Sequence, residues 1–150
     1  MAVQTLKPSR PAYVQAARWA FVALCWLYAA GVAAQLFGVG MVFLAGQGAW
    51  LEVHRTVGHL IGFATPLALV SAFVARLPWP LLALTFGLIV LHGLQYTFIE
   101  SGGVVRALHA LNALVLFGLA AYLGGRVFGL LREVEEPSAN RPPPTHPRET

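Results

Sequence analysis

Residues 18–44 read RWAFVALCWLYAAGVAAQLFGVGMVFL, and after Arg18 this stretch carries no charged side chain. A helix rises about 1.5 Å per residue, so about 20 mostly apolar residues cross a hydrocarbon core roughly 30 Å thick. The stretch is longer than that. It also lacks the alternation with polar residues that a soluble helix shows. It reads as a membrane span.

Working outward, three more runs have the same character: residues 50–75, 80–99 and 104–131. Breakers fall between them: Gly46 and Gly48, then Leu77-Pro78-Trp79-Pro80, then Ser101-Gly102-Gly103. Connections this short make neighbouring helices antiparallel. Period-two alternation is absent, and lipid tolerates strands only in closed barrels of many strands. The expected fold is therefore all-α, an integral membrane four-helix bundle running up-down-up-down, with residues 1–131 as one domain. Composition agrees. Of 150 residues, 57% are hydrophobic and 11% charged, against roughly a quarter charged in soluble domains. Pro66 lies within the second run and is expected as a tolerated kink.

Residues 132–150 differ. Pro137, Pro142, Pro143, Pro144 and Pro147 stand among charges, a composition that cannot bury enough apolar surface to order itself. This segment reads as a disordered cytoplasmic tail, with His146 as a solvated side chain. At the other end, Lys7 and Arg10 precede a run containing Val32-Ala33-Ala34, which resembles a signal-peptide cleavage site. The apolar run continues well past it, so an uncleaved span is expected.

Basic residues set the orientation. Lys7, Arg10, Arg18, Arg76, Arg126 and Arg132 fall on one side of the bundle. The other side has Arg55 and Arg106, balanced by Glu52 and Glu100. The positive-inside rule then places both termini in the cytoplasm and the protein in the inner (plasma) membrane. The basic character reflects these anchors. No basic stripe with interleaved aromatics lies outside the spans, so no nucleic-acid partner is expected. Cys25 is the single cysteine and reads as a small packing residue.

The histidines point toward chemistry. His54, His59, His92 and His109 lie within or at the edge of the spans, with Gln35 and Gln95. Such residues are costly in lipid and usually face the bundle interior. Counted from the outer helix ends, all four histidines fall in the outer half of the membrane. The chain also reads as two related hairpins. Gln35 precedes a Gly-containing connection and His54, while Gln95 precedes Ser101-Gly102-Gly103 and His109, with Arg55 or Arg106 close to each histidine. A pseudo-two-fold axis along the membrane normal would make His54 and His109 symmetry mates.

The second and fourth spans of such a bundle are diagonal, and facing side chains are how bundles build cofactor sites. His54 and His109 are thus expected to supply the two axial ligands of one haem b. Gly58 and Gly62, on the His54 face, would let a macrocycle or another backbone approach. Arg55 and Arg106 would meet propionates at the outer rim. His59 with His109 or with His92 is the second candidate pair. His54 and His59 diverge by about 140° around the helix and cannot share one iron. The candidate depths differ by only about 5 Å, too little for two stacked macrocycles. His59 and His92 would otherwise be hydrogen-bond partners or part of a proton or quinone path.

Other readings stay open. The same histidines, His54 and His109 foremost, would suit a metal-handling membrane protein. They would also suit a cofactor-free structural or assembly subunit of a larger membrane complex, where they bond across helices. Gly58 and Gly62 are equally a plain packing motif. No phosphate-binding loop, Cys-x-x-Cys pair or nucleophile elbow occurs, so no independent catalytic activity is expected. Beyond the lipid bilayer, the partners expected are a quinone or a redox protein, and either a second copy or a larger complex.

The run Gln35 to Gly62, with Glu52-Val53-His54-Arg55-Thr56-Val57-Gly58-His59, resembles a family of small four-helix bacterial membrane proteins of unknown function. Leu108-His109-Ala110-Leu111-Asn112-Ala113-Leu114 resembles that family's last-helix motif, and Gln95 fits its third helix. The likeness covers the spans and leaves out the tail. It implies the fold and the motif positions. In layout the chain is also similar to small b-type cytochromes, whose paired histidines bind haem in a helical bundle.

Overall fold

A computed structural model describes residues 11–135. Four stretches are long and apolar enough to cross a membrane: Ala12–Phe43, Trp50–Val74, Trp79–Ser101 and Gly103–Glu133. The first is α1 (Ala12–Phe43). The second is divided into α2 (Trp50–Gly62) and α3 (Ala64–Val74). The third is α4 (Trp79–Ser101) and the fourth α5 (Gly103–Glu135). The expected membrane four-helix bundle is the fold found. No strand occurs among the described residues.

Three boundaries depart from the sequence reading. The first helix starts at Ala12 rather than Arg18, directly after Pro11. The fourth continues to Glu135, so residues 132–135, expected in the tail, are helical. The remainder of that tail, with His146, and the N-terminal Lys7 and Arg10 lie outside the described residues. The third difference is at Pro66, where the expected kink takes the form of a one-residue interruption at Phe63, whose backbone stays right-handed helical. Proline lacks an N–H, and its ring crowds the carbonyl four residues back. That carbonyl belongs to Gly62, and it accepts a bond from the Thr65 hydroxyl at 3.0 Å instead. The ladder stops at Phe63 and restarts as α3.

The turns follow local chemistry. Pro80 sits in the first turn of α4, where its missing N–H costs nothing. Gly102 (φ 72°) and Gly103 (φ 53°) take left-handed conformations and reverse the chain between α4 and α5. On the opposite side, Arg76 closes the α3–α4 turn at φ 51°. Its guanidinium donates to the Tyr13 hydroxyl at 2.7 Å and lies over the Tyr13 ring.

Around the square, α1 packs against α5 and against α2 and α3, and α4 packs against α5 and α3. The half holding the α3–α4 turn is dense. Phe21, Val22, Cys25, Ala68, Ala72, Leu123, Val127 and Leu131 form one buried cluster there. Cys25 is the packing residue expected of it. A second cluster at mid-depth includes Tyr28, Val32, Ala64, Leu88, Leu116 and Ala120. Arg18 is no surface anchor: it is buried, and its Nε donates to the Ala75 carbonyl at the end of α3, 3.3 Å away. The other half, around α2, is different. No residue of α2 is fully buried, and the α2 backbone stands off from those of α4 and α5, which meet it through side chains.

Candidate functional site

His54 on α2 and His109 on α5 come together in this loosely packed half. Their ring centres are 6.2 Å apart and their planes are inclined by 58°. Each ring is held the same way. His54 Nδ1 donates to the Gln35 carbonyl of α1 over a long 3.4 Å, and His109 Nδ1 donates to the Gln95 carbonyl of α4 at 3.2 Å. A carbonyl can only accept, so each Nδ1 carries the proton. In the neutral ring, Nε2 then bears the lone pair. The two histidine–glutamine units repeat across the bundle, as the two-hairpin reading expects. The side-chain amides break the symmetry. Gln35 Nε2 donates to the His54 carbonyl at 2.7 Å, whereas Gln95 Oε1 is buried with no hydrogen-bond partner.

The glycines of α2 have specific neighbours. A methyl group on Gly58 would meet the Gln35 amide nitrogen at 2.7 Å, and one on Gly62 would meet His92 Nε2 at 2.5 Å. Both glycines admit a side chain of a neighbouring helix, where a macrocycle edge was the expectation. Arg55 is exposed and pairs with Glu52 at 2.6 Å. Arg106 is exposed and donates from Nε to the Ile99 carbonyl at 3.1 Å. Both arginines stand near the starts of their helices, at the same end of the bundle.

Residues 28–102 match the family described as a family of unknown function, DUF6220. The chain belongs to this family. The part matched to DUF6220 runs from Tyr28 to Gly102 and so includes Gln35, His54, His59, His92 and Gln95, while His109 lies beyond it. No curated protein matches the chain, and no solved structure does.

Within the DUF6220 region lies a second polar group. The His92 ring is the centre of it, with Nδ1 sharing a 2.9 Å hydrogen bond with the Tyr28 hydroxyl and Nε2 lying 3.5 Å from the Tyr96 hydroxyl. His59 stacks beside Tyr96 with ring centres 5.3 Å apart, and its Nδ1 donates to the Arg55 carbonyl at 2.7 Å. His59 and His92 therefore meet through Tyr96. Tyr28 and Tyr96 were not singled out from the sequence, because a tyrosine in a span usually reads as packing or an interface anchor. Asn112 was also passed over. It is buried on α5 and donates to the Leu91 carbonyl of α4 at 2.8 Å, fixing the helix that carries His109. A polar amide one turn from His109 was the available signal.

The residues present can be tested against a haem. An imidazole nitrogen binds a transition metal at about 2 Å, so two opposed ligands place their ring centres roughly 6 Å apart. The 6.2 Å between His54 and His109 fits. Backbone carbonyls on both Nδ1 atoms are the usual support for ligating histidines, fixing tautomer and orientation. A metal held by protein alone generally needs three or more ligands. Among the described residues no such group of His, Cys, Asp and Glu is gathered. A macrocycle supplies its own equatorial nitrogens and needs only two.

Proposed function

We propose that this chain is a membrane b-type cytochrome-like electron-transfer protein, holding one haem b near its outer face between His54 and His109. The observation that supports this most is the imidazole pair, 6.2 Å between centres, with both Nδ1 atoms anchored on main-chain carbonyls. Such a haem would supply a one-electron centre. The protein's own work is positional. α1 and α4 lend the Gln35 and Gln95 carbonyls that aim the rings. Asn112 holds α5 in register. Arg55 and Arg106, at the rim, are placed to pair with carboxylates. Among the described residues the pair has no third ligand gathered beside it, and a macrocycle needs only two. In keeping with the basic residues, we place both termini in the cytoplasm and the protein in the plasma membrane. A quinone or a redox protein would exchange its electrons, and a second copy or a larger complex would complete its surroundings.

The test is a dithionite-reduced minus oxidised spectrum of the purified protein in detergent, with a pyridine haemochrome assay. A sharp α-band at about one haem per chain is expected from two axial imidazoles. A protein that stays colourless when haem is supplied during expression sinks the proposal. It would leave the cofactor-free subunit, in which the same histidines bond helices together.

A further inference from the structure

A groove of about 240 Å³ opens beside α2, lined by His59, Gly62, Phe63, Pro66, His92 and Tyr96. It lies along the seam of α2 and α4, and His59 and Phe63 are exposed on its lip. One wall is apolar and flat: Gly62, Phe63 and Pro66. The rest of the lining is the rings of His59, His92 and Tyr96, of which little polar surface reaches the groove. His59 Nδ1 is committed to the Arg55 carbonyl, so Nε2 of the neutral ring is an acceptor. The Tyr96 hydroxyl stands at the end of the chain Tyr28–His92–Tyr96. When Tyr28 donates into His92, His92 donates on to Tyr96, and the Tyr96 hydroxyl proton is left uncommitted.

Depth narrows the ligand. His59 is nine residues inside Trp50, and His92 nine inside Ser101, which is about 13 Å below the outer helix ends. A phosphate or ammonium headgroup is too costly to bring there. A neutral ring bearing oxygens is not. The volume suits one such ring, being smaller than the roughly 300–1,000 Å³ of sites that enclose a whole drug-sized ligand. The open side leaves room for an apolar tail among the lipids.

We propose that this groove binds the headgroup of a lipid-soluble quinone. In the quinol form a ring hydroxyl donates to His59 Nε2. In the quinone form a ring carbonyl accepts from the Tyr96 hydroxyl. His59 is five residues from His54, about 7.5 Å along the helix, so the ring sits next to the proposed haem site. Its role in electron transfer rests on that proposal, while the binding itself does not.

The experiment titrates decylubiquinone calorimetrically into the purified protein in detergent. Saturable binding is expected at about one per chain. Tyr96→Phe, which keeps the ring, should weaken it about three- to tenfold, and His59→Leu by a similar factor. Phe86→Ala, on α4 away from the groove, should leave it unchanged. Circular dichroism checks that each variant is folded. No saturable binding, or equal affinity in folded Tyr96→Phe and His59→Leu, overturns the groove. Binding lost in His59→Leu while the reduced α-band persists separates the groove from the haem. Binding with the expected variant pattern in a colourless protein upholds the groove and sinks the cytochrome.

Discussion

The two halves of the bundle are built on different rules. Around the α3–α4 turn, Ala68, Ala72, Leu123, Val127 and Leu131 belong to one apolar cluster. There, small residues on α3 let α1 approach, and packing joins the helices over most of their length, with Arg18 and Arg76 adding polar contacts at the turn end. Around α2 no residue is fully buried. Helices in that half are joined by imidazoles and amides that reach main-chain carbonyls: His54 to Gln35, His109 to Gln95, Asn112 to Leu91. Lipid-exposed spans need no polar glue to fold. A half that buries little and spends its polar groups on aiming rings is shaped for something besides its own stability.

This contrast can be broken most sharply at His109. His109→Ala should abolish the reduced-minus-oxidised band outright, while removing one interhelical hydrogen bond costs only about 0.6–1.7 kcal/mol of stability. A band that survives would unseat the pair. The converse experiment is Leu123→Ala in the dense half. Lipid removes most of the hydrophobic transfer term and leaves the cavity, so a loss of about 1–3 kcal/mol is expected in mixed-micelle unfolding, with the spectrum unmoved. A spectral change there would mean that the halves are coupled. The smallest effect belongs to Glu52→Gln. It removes an exposed ion pair with Arg55, and the expected change in stability is under about 1 kcal/mol. A shifted haem potential in that variant, with stability unchanged, would mark Arg55 as a rim contact.

Much of this was legible in the sequence, for identifiable reasons. Spans announce themselves by apolar length, and the three loops by Gly46, Pro78 and Gly102. His54 and His109 stood out because histidine is expensive in lipid. Their pairing followed from the order of the helices. The support was not legible. Gln35 and Gln95 attract attention through their side chains, yet what holds the rings is their backbone carbonyls, which every residue has. The roles of Gly58 and Gly62 were also hidden. Glycine shows that something comes close, and only the structure shows that it is Gln35 in one case and His92 in the other. Tyr28 and His92 are 64 positions apart in the chain, so no local pattern could join them. Pro66 was visible. Whether a proline bends a helix or ends a segment depends on who takes the freed carbonyl, and here it is Thr65.

That interruption bears on biogenesis. Because the hydrogen-bond ladder stops at Phe63 and resumes at Ala64, α2 can swing or fray without unwinding α3, which stays clamped in the dense half. Segments with few buried contacts open at low free energy, independently of the core. The half around the α3–α4 turn can therefore be set first, with the segment before residue 63 closing last. Amide exchange along the second span should divide at residue 63, fast on one side and slow on the other. The segment before residue 63 is thus the part of the second span expected to open first.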